Sequence, residues 1–344
     1  MYQTSGRCLA AMRMPRKRKP EDQWLPPRVY RHTSSFIYKP VSGQTVTLCS
    51  LDSTEETVWR EYRKLVASDN ARDTFATLVE DFLHSADFAD LSTTTRKDYR
   101  KHSVPVLKVF GAVHRSKIQP QHVRRYMDLR GQKSRVQANR EKAFMSRVFR
   151  WAYERGMVPA NPCQGVRQFK ETPRDRYVTD VEYDAVCKVA PVTIKIAMEI
   201  SYLCAARKGD VLKLSMADVL DEGLFIQQGK TGVKQIKEWT PRLRRVVDKA
   251  KAVSGKGVRS TRLIVKPDGM PYTENGFNSA WQETMRRARQ ATGLPLDFTF
   301  HDIKAKSVSD FEGSSRDKQQ FSGHKTEGQV ARYDRKVKVT RTLK

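Results

Sequence analysis

The chain has 344 residues, room for two or three folding units with cores of their own and no need of disulfide or metal staples. Lys and Arg number 65 against 38 Asp and Glu, a formal net charge of +27, and that excess calls for a polyanionic partner, most often nucleic acid. No stretch approaches the roughly 18 apolar residues of a membrane span, and residues 1–19 lack the apolar core and cleavage site of a secretory signal, so no membrane partner and an intracellular setting are expected.

Between Arg13 and Lys19 five of seven residues are basic, and Lys19-Pro20-Glu21-Asp22 follows without apolar periodicity. Residues 1–22 are therefore expected to form a basic flexible arm, with Arg16, Lys17, Arg18 and Lys19 as candidate phosphate contacts or, more blandly, as a solubilising tail; Met14 is an alternative start. Val29-Tyr30, Ser35-Phe36-Ile37-Tyr38 and Thr45-Val46-Thr47-Leu48 are short β-prone runs, broken by polar residues and by Ser42-Gly43. They predict a small antiparallel sheet over 23–70, covered by a helix from Glu55 to Leu65.

From Asp73 the period changes. Phe75, Leu78, Val79, Phe82 and Leu83 make the stripe of an amphipathic helix capped by Asp73 or Thr74. Further helices are expected at Thr94 to Phe110, Gln121 to Leu129 and Ala138 to Tyr153, completing a four-helix unit over 71–163. Its polar faces carry many cations, among them Arg96, Lys97 and Arg140, which are read as a DNA-facing side or as merely solvated faces. Pro159-Ala160-Asn161-Pro162 stops the last helix, and the polar run beyond it predicts a linker over 164–176.

The final unit, 177–344, opens on Thr179-Asp180-Val181-Glu182, the spacing of a capping box, followed by a helix from Thr193 to Ala206. Phe225 to Gln228 and Gln235 to Thr240 flank Lys230-Thr231-Gly232 and read as a β-hairpin. A strand at Arg262 to Val265, a helix at Thr273 to Thr292 with Phe277, Trp281, Met285 and Ala288 on one side, and a helix starting after His301 complete the expectation. The five cysteines, Cys8, Cys49, Cys163, Cys187 and Cys204, are odd in number, far apart and without a CxxC pair, so they are read as reduced thiols with no metal module.

Arg207-Lys208-Gly209-Asp210, Gly229-Lys230-Thr231, His301-Asp302-Ile303-Lys304, Gly323-His324 and Tyr333 occur in that order, with Tyr333 nine residues past His324. In this the chain resembles the tyrosine recombinases. That family carries Arg with an acidic residue three places on, Lys, His-x-x-Arg, His or Trp, and Tyr in this order. The resemblance is strong from Tyr177 to the end. It continues more weakly through Ala138-Asn139-Arg140, Phe149-Arg150-Trp151-Ala152 and Asn161-Pro162, while Leu25-Pro26-Pro27-Arg28-Val29-Tyr30 resembles the arm-type DNA-binding segment of phage and prophage integrases.

The resemblance implies a mainly α fold with α/β elements: a small β-rich N-terminal arm-binding domain, a helical SAM-like core-binding domain and a mixed α/β tyrosine-recombinase catalytic domain. It implies site-specific recombination at double-stranded attachment sites in the bacterial host cytoplasm, on nucleoid DNA, for integrating or excising phage DNA. Four protomers would act on DNA, with a monomer when free, helped by DNA-bending or directionality factors and using no cofactor. Tyr333 is the implied nucleophile, Arg207, His301, Lys304 and His324 the phosphate-side groups, and Lys230 the general acid, with Lys234 as fallback. Asp210 would orient Arg207, and Arg28 joins the implied DNA contacts. A tyrosine suits this chemistry because its phosphate ester conserves the energy of the broken backbone bond, while fixed cations answer the charge that builds on the phosphate.

Lys304 departs from the family's second arginine, and a lysine is a point charge where a guanidinium is a two-toothed clamp; Lys306 could share its work. The competing readings are a noncatalytic DNA-binding regulator and a topoisomerase-like relaxing activity. The bland reading of residues Arg332 to Lys344 is a basic tail, and the family reading is a segment that packs on a neighbouring protomer.

Overall fold

The computed structural model describes residues 18–39, 44–254 and 260–337, with 339, 342 and 343. Two units follow one another, Met1–Glu171 and Thr172–Lys344. Arg16, Lys17, the Ser42-Gly43 turn and Cys8 lie outside the described residues.

The β-prone runs pair as expected. Strands β1 (Val29–Arg31), β2 (Ser35–Tyr38) and β3 (Val46–Ser50) form an antiparallel sheet in that order. A register shift between Phe36 and Ile37 lets both of these neighbours turn into buried positions. Helix α1 (Glu55–Arg72) is longer than expected and lays Val58 against Leu25, Val29 and Phe36. Among the described residues four buried apolar side chains cluster into a thin core, and bonds to the main chain supplement it. Arg18 donates to the carbonyls of Leu25 and Pro26, the latter at 2.8 Å. This corrects the expected arm: Arg18 is a bracket on the 25–29 segment, and Pro20–Asp22 forms a single 3-10 turn beside it. Lys19 remains exposed, paired with Glu21 at 3.6 Å.

The next helices, α2 (Phe75–Leu83), α3 (Ala86–Ala89), α4 (Thr93–Phe110), α5 (Pro120–Lys133) and α6 (Arg135–Tyr153), build a second core in the same unit. Thr74 caps α2 by accepting from the Thr77 N–H, and the stripe Phe75, Leu78, Val79 and Phe82 is wholly buried. Phe75 stacks on Phe149 of α6 at 5.1 Å. Arg96 is half-buried and Lys97 exposed on α4. The expected linker starts anchored: Asn139 donates to the Phe169 carbonyl at 2.8 Å and accepts its N–H at 2.9 Å, and Arg140 pairs with Glu171 at 3.1 Å.

One polar bond crosses this core. Glu141 of α6, 1% exposed, accepts two nitrogens of Arg130 and, at 2.7 Å, the Tyr126 hydroxyl, both from α5. Removing the guanidinium strands a buried carboxylate, so Arg130→Met is expected to destabilise the unit by about 2–3 kcal/mol. Urea unfolding of the full chain tests this; an unchanged midpoint would mean that water replaces the arginine without loss.

The second unit opens on α7 (Asp180–Val189), whose capping box joins Thr179 and Glu182 as the spacing predicts, and α8 (Val192–Cys204). A short α9 (Lys208–Val211) leads to the hairpin of β4 (Gly223–Gln227) and β5 (Lys234–Glu238), with Gly232 at φ +72 in its turn. Helices α10 (Pro241–Ser254), α11 (Glu274–Thr292), α12 (Phe300–Asp310), α13 (Ser315–Ser322) and α14 (Glu327–Val330) follow. Phe277, Trp281 and Phe300 meet edge to face between α11 and α12. Two expectations need correcting. Arg262 to Val265 makes isolated bridges, Ser215 with Arg262 and Val265 with Pro271, in place of a strand. Helix α12 begins at Phe300, so His301 lies in its first turn, where the Thr299–Asp302 capping box fixes the start.

Candidate active site

Helix α12 presents His301, Asp302, Lys304 and Ser309, and each serves the segment that carries Tyr333. The Tyr333 hydroxyl lies 3.1 Å from His301 Nε2. Its ring packs on that of His324 at 4.5 Å between centroids. Tyr333 stands in a turn beyond α14, where its N–H donates to the Val330 carbonyl at 2.7 Å. Its own carbonyl accepts the Ser309 hydroxyl at 3.0 Å, and that same hydroxyl oxygen accepts the Arg335 N–H at 2.7 Å.

The two residues that follow the tyrosine are ion-paired. Asp334 meets Lys318 at 3.0 Å, and Arg335 meets Asp302 at 2.7 Å. Asp302 is 1% exposed and also receives Arg174 at 2.9 Å and the Thr299 N–H at 2.8 Å. These cations and hydrogen bonds keep its carboxyl below the usual range despite burial. The Tyr333 turn is thus held by side chains rather than by a regular element. Ser309, Asp302, Lys318 and Arg335 were not singled out by motif spacing, because their role depends on α12 and the tyrosine turn meeting in space.

The cationic side is built at the end of α8. Ala205 takes φ +49 to turn the chain, and Arg207 then precedes α9 as its N-terminal flanking residue. The Arg207 guanidinium donates to Gln228 Oε1 and lies 4.0 Å from Asp210. Asp210 therefore corrects its expected role: rather than gripping Arg207 by a hydrogen bond, its Oδ1 accepts the Gly229 N–H at 2.9 Å, at the root of the hairpin turn. Lys230 sits exposed on that turn, as does Lys234 at its far side.

Lys304 also differs from expectation. It is 1% exposed, and its ammonium donates to the carbonyls of Ala205 at 2.5 Å and Ser322 at 3.2 Å. Burial, with repulsion from Arg207 and Lys237, pushes its pKa down to about 7. Lys306 belongs elsewhere, paired with Asp180 at 2.5 Å and Asp310 at 2.8 Å.

His324 follows Gly323, which ends α13 at φ +65. The Ser322 hydroxyl donates to the Lys318 carbonyl at 2.6 Å and lies 2.6 Å from His324 Nδ1. One hydroxyl has one hydrogen, so this geometry assigns the neutral ring's proton to Nδ1 and leaves the buried Nε2, which has no hydrogen-bond partner, bare. Burial first, then Lys304 and Arg207, push the His324 pKa down to about 4. His301 is lowered too, mainly because neighbouring atoms displace water from a ring that still reaches the surface. Arg207 and Lys304 act on both imidazoles, so the structure gathers Arg207, His301, Lys304, His324 and Tyr333 into one cluster.

A tyrosine hydroxyl against an imidazole, beside a half-buried arginine and a buried lysine on a helical unit with one hairpin, is an arrangement similar to the one the resemblance to tyrosine recombinases implies. Residues 179–338 match the model of the phage integrase family, so this unit of the chain is similar to that family's domain. It is 26% identical to the integrase of Enterobacteria phage 434 over 207 residues, 56% of either chain, and 28% identical to the integrase of Escherichia phage HK022 over 201 residues, 54% of either. The chain thus spans about half the length of these curated relatives. In fold it resembles a lambda integrase dimer bound to a COC' core site, with a TM-score of 0.67 and 20% identity over 79% of this chain and 99% of that one. A lambda integrase tetramer bound to a Holliday junction gives 0.65 and 20% over 88% and 97%.

The unfolded chain protonates His324 near pH 6.5 and the folded protein only near about 4, so between those values the unfolded state binds more protons. The stability this residue contributes is complete above pH 6.5 and is lost as pH falls through about 4. Nitrogen NMR of labelled histidine should show a midpoint near about 4 and the proton on Nδ1 in the neutral form. A midpoint near 6.5 would show a hydrated ring.

Proposed function

We propose that this protein is a site-specific DNA recombinase, an integrase of phage or prophage type, that cuts and rejoins DNA through a 3′-phosphotyrosine. The observation that carries the reading is the Tyr333 hydroxyl held 3.1 Å from His301 Nε2 inside a cluster of otherwise self-repelling cations.

In this reading Tyr333 oxygen attacks the scissile phosphorus while its proton passes to neutral His301. The bond to the 5′ oxygen breaks, and Lys230 gives that oxygen its proton. Arg207 answers the charge on the nonbridging oxygens, His324 does so once the phosphate's charge has protonated its bare Nε2, and Lys304 adds its charge from behind while it holds the Ala205 and Ser322 carbonyls. The reverse attack by a 5′ hydroxyl reseals the strand, so the ester carries the bond energy throughout.

Residues 23–70 would serve as the arm-type DNA-binding domain and 71–163 as the core-binding domain, with exposed Arg28 and Lys97 among the backbone contacts. The protein would act as a tetramer on two attachment sites in the host cytoplasm, on nucleoid DNA.

Covalent capture on a duplex nicked beside the scissile phosphate tests this. Wild type is expected to give a protease-sensitive shifted band on a denaturing gel, and Tyr333→Phe none. A band that persists in Tyr333→Phe would move the nucleophile elsewhere, and tight binding without any band would favour a noncatalytic regulator. The rate should fall as pH drops below the ordinary imidazole range, since protonated His301 cannot accept the phenolic proton; a rate flat across that range would remove His301 as the base.

A further inference from the structure

Gln228 carries no charge and belongs to none of the motif positions, yet it is 4% exposed at the junction of three site segments. Its Oε1 accepts from the Arg207 guanidinium and, at 3.0 Å, from the Thr231 hydroxyl. Its Nε2 donates to the Ser322 carbonyl at 2.9 Å, the same carbonyl that Lys304 reaches. Its main chain closes the hairpin turn, donating to the Val233 carbonyl and accepting the Gly232 N–H, both at 2.8 Å. The fit is close, because a Cβ at Gly323 would fall inside the Gln228 amide.

A two-stranded hairpin has little stability of its own, and the Lys230 side chain is exposed on its turn. Where that ammonium points is therefore decided by what ties the turn to the body of the unit. At the turn itself Asp210 does so through the Gly229 N–H and Gln228 through Thr231, while Gln235 and Lys237 fasten the β5 strand to the Gln320 and Phe321 carbonyls. Asp210 stands 4.0 Å from Arg207, too far for a hydrogen bond, whereas Gln228 accepts one from it directly, so a single amide links the lysine turn to the phosphate-side arginine.

We propose that Gln228 is a positioning residue that sets the Lys230 turn relative to Arg207, and so governs protonation of the leaving 5′ oxygen. The inference rests on the recombinase reading above. Glutamine suits the place because one neutral amide both accepts from a guanidinium and a hydroxyl and donates to a carbonyl, whereas glutamate would set an anion against the Ser322 carbonyl.

The test compares an ordinary suicide duplex with one whose scissile 5′ bridging oxygen is sulfur. A thiolate leaves without a proton, so sulfur removes the need for the general acid and for whatever aims it. Lys230→Ala is the control and should lose on the order of 100-fold on oxygen and little on sulfur. Thr231→Val cuts only the turn's bond to Gln228 and is expected to lose roughly tenfold on oxygen and almost nothing on sulfur. Gln228→Leu also frees Arg207, so it should lose on the order of 100-fold on oxygen and at least roughly tenfold less on sulfur. Thermal melts of both variants exclude unfolding as the cause.

Equal losses on the two substrates in Thr231→Val and Gln228→Leu, or no loss on oxygen, would overturn the proposal while leaving the recombinase reading intact. A Lys230→Ala protein that sulfur does not rescue would instead remove Lys230 as the acid, and absence of any covalent product from wild type would remove the underlying reading; either result takes this inference with it.

Discussion

Positive groups crowded where water is scarce set the terms for this site. Arg207, Lys304, Lys237, His301 and His324 raise one another's energy, and the fold accommodates them by letting some stay neutral. The Lys304 pKa falls to about 7, that of Lys237 to about 8 and that of His324 to about 4. Carbonyls of Ala205, Phe321 and Ser322 take the lysine hydrogens in place of a carboxylate. An arriving phosphate would reverse this balance, since its charge favours protonation of the groups that burial has discharged. Binding would then draw protons from the medium, and part of any measured binding heat would belong to the buffer.

The same crowding accounts for the placing of the two buried carboxylates. Asp302 and Asp210 lie beside the cationic cluster without neutralising it: Asp302 is spent on Arg174, Arg335 and a helix start, and Asp210 on a backbone N–H and a pair stretched to 4.0 Å. They hold segments in place while the cluster around Arg207 and Lys304 stays positive. A closer Asp210–Arg207 pair would steady the arginine but cancel part of the charge a phosphate is to meet.

Much of the fold was legible because it follows local rules. The Phe75 stripe, the Thr179–Glu182 box and the alternating runs around Gly232 each announce an element from a few neighbouring residues. Helix α10 was missed because its buried positions, Leu243, Val247 and Ala250, are sparse among arginines and lysines. Arg262 to Val265 looked like a strand but buries Leu263, Ile264 and Val265 in succession, which apolar content alone does not separate from a ladder. In the site, charged motif residues could be named in advance, whereas their partners could not. Gln228 and Ser309 act only across the fold, and the sequence of Lys304 says nothing about whether its ammonium meets substrate or carbonyl.

The bracket at Arg18 bears on where this protein can be shortened. Judged by charge density, the chain before Gln23 invites removal as an appendage. Judged by its bonds, Arg18 closes the first loop of a sheet whose cluster, among the described residues, has four buried apolar members. A cut through that residue would therefore loosen the small sheet itself, and any loss of DNA affinity that followed would record a damaged fold as well as missing charge.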